Sequence, residues 1–480
     1  MASRTAFLLC AALALGACGD SRGGPIDVSA IGPPPRLLNP NLQPLDPPAA
    51  FLAESVAQGL VRFDADGEIE PALAQSWIVS DDGLRYTFRI RRITWPDGSP
   101  ITAEQVAGRL RAAASRASRN PLKPVLGGIE SITAMTDAVL EIGLRGPRPN
   151  LLQLLAQPEM SIAFGGMGSG PYQIGGTSGG APLLSLPPGE DGEPAIGPPI
   201  ALRGESAALA VARFARGEAE LVVGGTIGDL PIARAADLPN ARLAFDPVQG
   251  LLGLSFASRD GPLGDPAVRR ALNMALDRDA LAGALGAQGL GARVTLAPPG
   301  LGELPRPFAP DWAALAFVDR AAQARITIAA LGLSEPLRLR VAMPDGPGYR
   351  ILFAYLRRDW RAVGVEAVRV PANAPAAELR LIDEVAPAVL ATWYLRHFSC
   401  DAARICDVEA DRALAEARTT RTLGERRLHL ARADQILGNL APFIPLGGPV
   451  RWSLVGQRLT GFRPNPFARH VAGELIEQRF

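Results

Sequence analysis

The most regular alternation in the chain falls at 84–91, where Leu84, Tyr86, Phe88 and Ile90 share one side and Arg85, Thr87, Arg89 and Arg91 the other. Successive side chains of an extended chain point to opposite faces, so this stretch predicts a half-buried strand. Trp77-Ile78-Val79 precedes it, with Asp81-Asp82-Gly83 between the two. An Asp-Gly pair between apolar runs predicts a hairpin, because glycine accepts the positive φ such turns require. After the strand, Trp95-Pro96-Asp97-Gly98 predicts a turn. The period then becomes helical. Thr102 can cap the free amides, Gln105 can reach back to the Thr102 amide, and Val106, Leu110 and Ala113 make the buried stripe.

Strands and helices continue to alternate beyond this unit. A strand over 137–144 ends at Gly146-Pro147-Arg148-Pro149, and a short helix covers 151–156. The glycine-rich run at 165–172 reads as a connector, and 175–200 as a loop with little core. A helix over 206–216 leads to strands over 219–223 and 251–255. Asp265 then suits an N-cap and Pro266 the first helical position, where its missing N–H does no harm. Val268, Leu272 and Ala275 form the inner stripe, and a second helix covers 280–285. Arg269, Arg270 and Arg278 read as a solvated face. A strand over 326–341 and a helix over 351–364 make a further unit, and 377–382 is strand-like. Helices over 410–417 and 423–440 and a strand over 452–455 close the chain. The class is α/β.

A chain of 480 residues exceeds one ordinary core and implies two or three lobes. With 49 basic against 48 acidic residues, it lacks the field that draws proteins to nucleic acid, which is not expected as a partner. Arg4, the apolar run at 7–15 and a small-residue cleavage site read as an export signal over 1–17. Leu15-Gly16-Ala17-Cys18 is similar to a bacterial lipobox, in which Cys18 carries lipid; the alternative is an ordinary signal with an incidental cysteine. Residues 18–48, rich in Gly, Pro and Asn, then read as lipid anchor and flexible tether. No later segment holds the roughly twenty uncharged apolar residues of a membrane helix. The expected location is the periplasm, anchored by lipid to the cell-envelope membrane.

Cys10 leaves with the signal and Cys18 takes lipid, so Cys400 and Cys406, enclosing a short polar loop, are expected to form a disulfide. No histidine-rich set surrounds them, and neither a metal site nor a cofactor is expected. Gly176-Thr177-Ser178-Gly179-Gly180 matches the Gly-x-Ser-x-Gly pattern of serine hydrolases. That motif works on a sharp strand-to-helix elbow, and neither flank reads that way. No catalytic residue is assigned.

The order of several blocks resembles the family 5 solute-binding proteins, the oligopeptide, dipeptide and nickel receptors of ABC importers. Glu54-Ser55 with Gly59-Leu60-Val61, Pro71-Ala72-Leu73-Ala74 with Ser76-Trp77, Tyr86-Thr87-Phe88, and Trp95 with Asp97-Gly98 carry the opening. Ser169-Gly170-Pro171-Tyr172 looks like the family's crossing between domains. Asp265, Val268-Arg269-Arg270-Ala271-Leu272, Ala275 and Asp277-Arg278 follow its central signature, and Ile444-Pro445-Leu446 its closing strand. The resemblance implies a periplasmic binding protein type II-like bilobed fold with an additional domain, hinged and monomeric. It implies capture of peptides or a similar small solute by lobe closure, and delivery to ABC permease subunits in the inner membrane. The corresponding divisions are 49–164 for an N-terminal part with the extra domain, 165–255 completed by 441–480 for the first lobe, and 256–440 for the second. Asp383, four residues before Pro387, sits where peptide receptors of the family hold the ligand ammonium, with Glu384 beside it. The alternative is that either acid merely decorates a loop. A receptor scaffold that no longer transports and serves envelope interaction or sensing is the competing function.

Overall fold

The computed structural model describes residues 24–188, 197–236, 238 and 242–476; Cys18 and the leader lie outside them. Among the described residues three sheets organise the fold. A seven-stranded sheet runs in the order Gln173–Ser178, Ala181–Ser185, Ile200–Glu205, Ile26–Ile31, Leu221–Thr226, Arg451–Val455, Arg242–Phe245. A five-stranded sheet runs Val365–Pro371, Leu337–Met343, Leu379–Val385, Gly250–Phe256, Phe443–Gly447. The third, Ala74–Val79, Arg85–Ile90, Val139–Leu144, Ile129–Thr136, is antiparallel throughout. Each sheet has its own apolar cluster, and that of the four-stranded sheet extends into the helices Val408–Thr419 and Leu423–Leu440.

The opening unit folds as its pattern dictates. Tyr86, Phe88 and Ile90 are buried while Arg85 and Arg89 face water. Gly83 takes φ +67° in the turn, and Ala103–Ala114 carries the full capping box, with Thr102 Oγ1 accepting from the Gln105 amide at 3.3 Å and Gln105 Oε1 accepting from the Thr102 amide at 3.1 Å. Gln105 Oε1 also accepts from the Trp95 indole at 3.1 Å, which ties the turn to the helix. Asp265 caps Pro266–Met274 as expected, and Leu423–Leu440 has the predicted bounds.

Several expectations fail for identifiable reasons. Residues 18–48 are not a tether throughout, because Ile26–Ile31 lies inside the seven-stranded sheet, parallel to both neighbours, with Ile26, Val28 and Ala30 fully buried. Its alternation is short and flanked by Gly and Pro, which hides it. The presumed loop at 175–200 supplies an antiparallel hairpin and the start of a third strand. Strand Gly250–Phe256 belongs to the five-stranded sheet, so the first lobe ends before it. The expected strand at 326–341 begins inside the helix Phe317–Ala329, and only Leu337–Met343 is extended. Ser178 stands on an edge hairpin whose turn is Gly179-Gly180, not on a strand-to-helix elbow, so the hydrolase reading loses its geometry.

Arg269 and Arg278 do not face solvent. Both are buried, and both spend their donors on backbone carbonyls: Arg269 on Leu263 at 2.6 Å and Leu440 at 2.6 Å, Arg278 on Pro445 at 2.7 Å and Asn273 at 3.1 Å. A guanidinium has five donors and an apolar stem, so it can be buried where carbonyls converge. Burial, with no carboxylate in an ion pair to oppose it, pulls the Arg278 pKa down to about 9.

Candidate functional site

The chain crosses twice between the seven- and five-stranded sheets, at 246–249 and at 448–450. Where the crossings meet the four-stranded body lies a cavity of about 640 Å³, within the roughly 300–1,000 Å³ usual for small-molecule sites. All three bodies wall it: Ala50 and Arg451 from the seven-stranded side, Asp383 and Glu384 from the five-stranded sheet, Leu122, Val125 and Trp393 from the four-stranded body and the helices packed with it. Glycines permit the close approach of the helix Pro347–Ala362 to the turn that follows Leu221–Thr226 of the seven-stranded sheet. The Gly348 amide donates to the Gly228 carbonyl at 2.9 Å, and a Cβ on Gly348 would lie 1.8 Å from the Ile227 carbonyl oxygen. Any side chain there would hold the helix off that turn.

Asp383 is on the cavity wall, yet its carboxylate is already engaged. Oδ1 meets Arg451 Nη1 at 2.7 Å, Oδ2 accepts from the Tyr349 hydroxyl at 2.8 Å, and Arg451 Nη2 donates to the Asp383 carbonyl at 2.9 Å. Arg451 opens the strand Arg451–Val455 of one sheet while Asp383 sits on Leu379–Val385 of the other. The pair therefore bridges the lobes beside the crossings. Burial would lower the Arg451 pKa, but Asp383 outweighs it and holds the guanidinium above its ordinary value. Burial, with the Asp383 charge, pushes the Tyr349 phenol up, so it stays a donor. The expectation that Asp383 awaits a ligand ammonium meets a carboxylate with a resident cation. Sequence reasoning missed Arg451; its signal is a lone cation entering the apolar strand Trp452-Ser453-Leu454-Val455.

Glu384 also lines the cavity. It is over half exposed and faces His397 Nε2 at 3.2 Å; that hydrogen bond comes first among the causes holding its pKa below the usual range. Cys400 and Cys406 are joined in a disulfide just beyond this histidine, with Cα atoms 5.0 Å apart. At the other end of the cavity Arg469 stands between two acids, 3.6 Å from Glu54 and 3.6 Å from Glu159. Glu54 is drawn upward to about 7, first by burial and also by Glu159, against the opposing charge of Arg469. Nearby, buried Asp246 pairs with His470 at 3.3 Å and accepts the Asn465 amide at 3.0 Å. Among the described residues no group of three or more His, Cys, Asp or Glu is placed to hold a metal ion.

Comparison with known proteins adds an independent line. The sequence model for "Bacterial extracellular solute-binding proteins, family 5 Middle" matches residues 68–397. The probable ABC transporter periplasmic-binding protein SapA of Escherichia coli (strain K12) is 24% identical over 463 residues, covering 83% of this chain and 82% of the relative. The nickel-binding periplasmic protein of Escherichia coli (strain K12) is 33% identical over 129 residues, covering 27% of this chain and only 24% of that protein's length. In structure, Haemophilus influenzae OppA in complex with RPPGFSPFR superposes with a TM-score of 0.81 at 18% identity, covering 94% of this chain and 98% of that one. The shared architecture is the bilobed, mixed α/β fold of the oligopeptide receptors.

Proposed function

Since the chain belongs to the bacterial extracellular solute-binding proteins of family 5, we propose that it is the extracytoplasmic solute-binding component of an ABC importer. It captures peptides or a similar small solute by lobe closure and hands it, chemically unchanged, to a membrane permease. The observation that carries this reading is the cavity of about 640 Å³ at the double crossing, walled by all three bodies of the fold. A guest held there touches both lobes, so its binding energy favours the closed arrangement over the open one. The similarity to SapA across most of both chains supports the transporter assignment.

The test is recovery of solute. Protein purified from its own host and denatured should release a small molecule identifiable by mass spectrometry. Returning that molecule at one hundred times its Kd should stabilise the fold by about 2.7 kcal/mol through mass action, read as a rise in Tm. Turnover of the released molecule, or one rigid shape by small-angle scattering with and without it, would remove the receptor reading.

The same proposal places the protein in the periplasm with Cys18 as its lipid anchor. Among the described residues no helix is long and apolar enough to cross a membrane. Radiolabelled palmitate should enter the wild-type protein and be absent from Cys18→Ser; label retained in the variant would exclude the anchor.

A further inference from the structure

The carboxylates on the described cavity wall already have partners within the protein. Asp383 has Arg451, Glu384 has His397, Asp246 has His470, and Asp46 accepts the Ala49 amide at 2.9 Å at the start of a helix. Glu159 faces Arg469, although its Oε2 is buried without a hydrogen-bond partner. The cations differ. Arg396, on the helix Ala391–Arg396, lines the cavity, enters none of the ion pairs among the described residues, and has an Nε buried without a partner.

Its surroundings reinforce this. Arg148, from the loop below the four-stranded sheet, is buried, and its Nε also lacks a partner. Arg148 feels the charges of Arg396, Arg418 and Arg426, with Glu303 the acid opposing them. Glu303 is itself taken by Arg426 at 2.6 Å. Val125 lines both the main cavity and the small adjoining space that Arg148 borders. Asp401 and Asp411 act on Arg396 from beyond ion-pair distance, and Asp411 Oδ2 accepts the Cys400 amide at 3.1 Å.

We propose that the solute carries a carboxylate and that Arg396, backed by Arg148, is the residue that receives it. The proposal rests on the receptor reading above and adds the chemical class of the guest. A partly desolvated guanidinium without a counter-ion is costly, and a carboxylate offers it two parallel, charge-assisted hydrogen bonds. Asp383, neutralised by Arg451, does not offer the same to an ammonium.

The probe is a tryptic digest of casein in three forms: native, N-acetylated so that its amines are blocked, and methyl-esterified so that its carboxylates are blocked. Native and acetylated pools should raise the Tm of the wild-type protein, while the esterified pool should not. Arg396→Gln should need at least tenfold more of the acetylated pool for the same rise, and Arg396→Lys should recover part of the difference. Equal unliganded melting of wild type and Arg396→Gln establishes that the variant folds. A response to the esterified but not the acetylated pool overturns the proposal. So does an undiminished response of Arg396→Gln combined with lower unliganded melting of both Arg396→Gln and Asp411→Asn, which would make Arg396 a counter-ion of Asp411. If no pool shifts the wild type, peptides are excluded as guests and the solute released on denaturation decides. Loss of that solute from Arg396→Gln sustains the acid-group inference, equal recovery overturns it, and recovery of nothing from wild type overturns the receptor reading as well.

Discussion

Arg451→Ala is expected to destabilise the protein by about 3–5 kcal/mol, the range for removing one partner of a buried ion pair. The guanidinium and the Asp383 carboxylate are 17% and 8% exposed, so water cannot replace the lost partner fully. The stranded Asp383 keeps only the Tyr349 hydroxyl, and the backbone carbonyl of Asp383 loses its 2.9 Å donor as well. Because the pair spans the two large sheets, the loss should appear in lobe geometry as well as in stability. Unliganded Arg451→Ala should shift toward an open shape in small-angle scattering, which a contact confined to one lobe would not produce. The companion variant is Arg451→Met with Asp383→Leu. Replacing both charges should recover much of the loss, and the double-mutant cycle should give a coupling above 1 kcal/mol, the scale for contacting residues. Urea midpoints for wild type, Arg451→Ala, Arg451→Met, Asp383→Leu and the double variant provide the measurement. A change under about 0.5 kcal/mol in Arg451→Ala, the size of an ordinary surface substitution, would remove the bridge from any account of closure.

Glu54→Gln should produce the second large effect, and it should depend on pH. Burial raises the Glu54 pKa from 4.5 to about 7 in the folded protein. Between these values the native state holds a proton that the unfolded chain has released. The stability associated with that proton is therefore full below pH 4.5 and is lost as pH rises through 7. Over the whole window this is about 3 kcal/mol. Glutamine keeps the shape of the protonated acid and has no proton to lose. The variant should match wild type near pH 4.5 and exceed its stability at pH 8 by up to about 3 kcal/mol. Arg469, Glu159 and His470 are the other charged groups acting on Glu54, and all remain in the variant, so the difference between the two curves isolates this carboxyl. Parallel curves from pH 5 to 8 would mean that Glu54 is ionised throughout, held by Arg469 at 3.6 Å.

Both effects arise where residues distant in sequence converge. Asp383 and Arg451 are separated by 68 positions, and Glu159 lies in the four-stranded body while Arg469 follows the last strand. The resemblance pointed to Asp383 and Glu384, four and three residues before Pro387, and both line the cavity. The partner of Asp383 could not be seen, because a pairing across two sheets leaves no periodic trace in either strand.

Local pattern determined much of the rest. The alternation of Leu84, Tyr86, Phe88 and Ile90, the Asp82-Gly83 turn, the Thr102/Gln105 box and the Asp265 cap each draw on neighbours within about four positions. Hydrogen bonds and side-chain period of that range are fixed before any tertiary contact forms. The order of those blocks was enough to indicate a bilobed binding fold. Tertiary structure alone decided which sheet Ile26–Ile31 and Gly250–Phe256 join, whether Arg269 and Arg278 meet water or carbonyls, and which charges on the cavity wall are already matched. Those outcomes depend on what packs against a residue, and burial sets the energy of an arginine or a carboxylate far more than its sequence neighbours do.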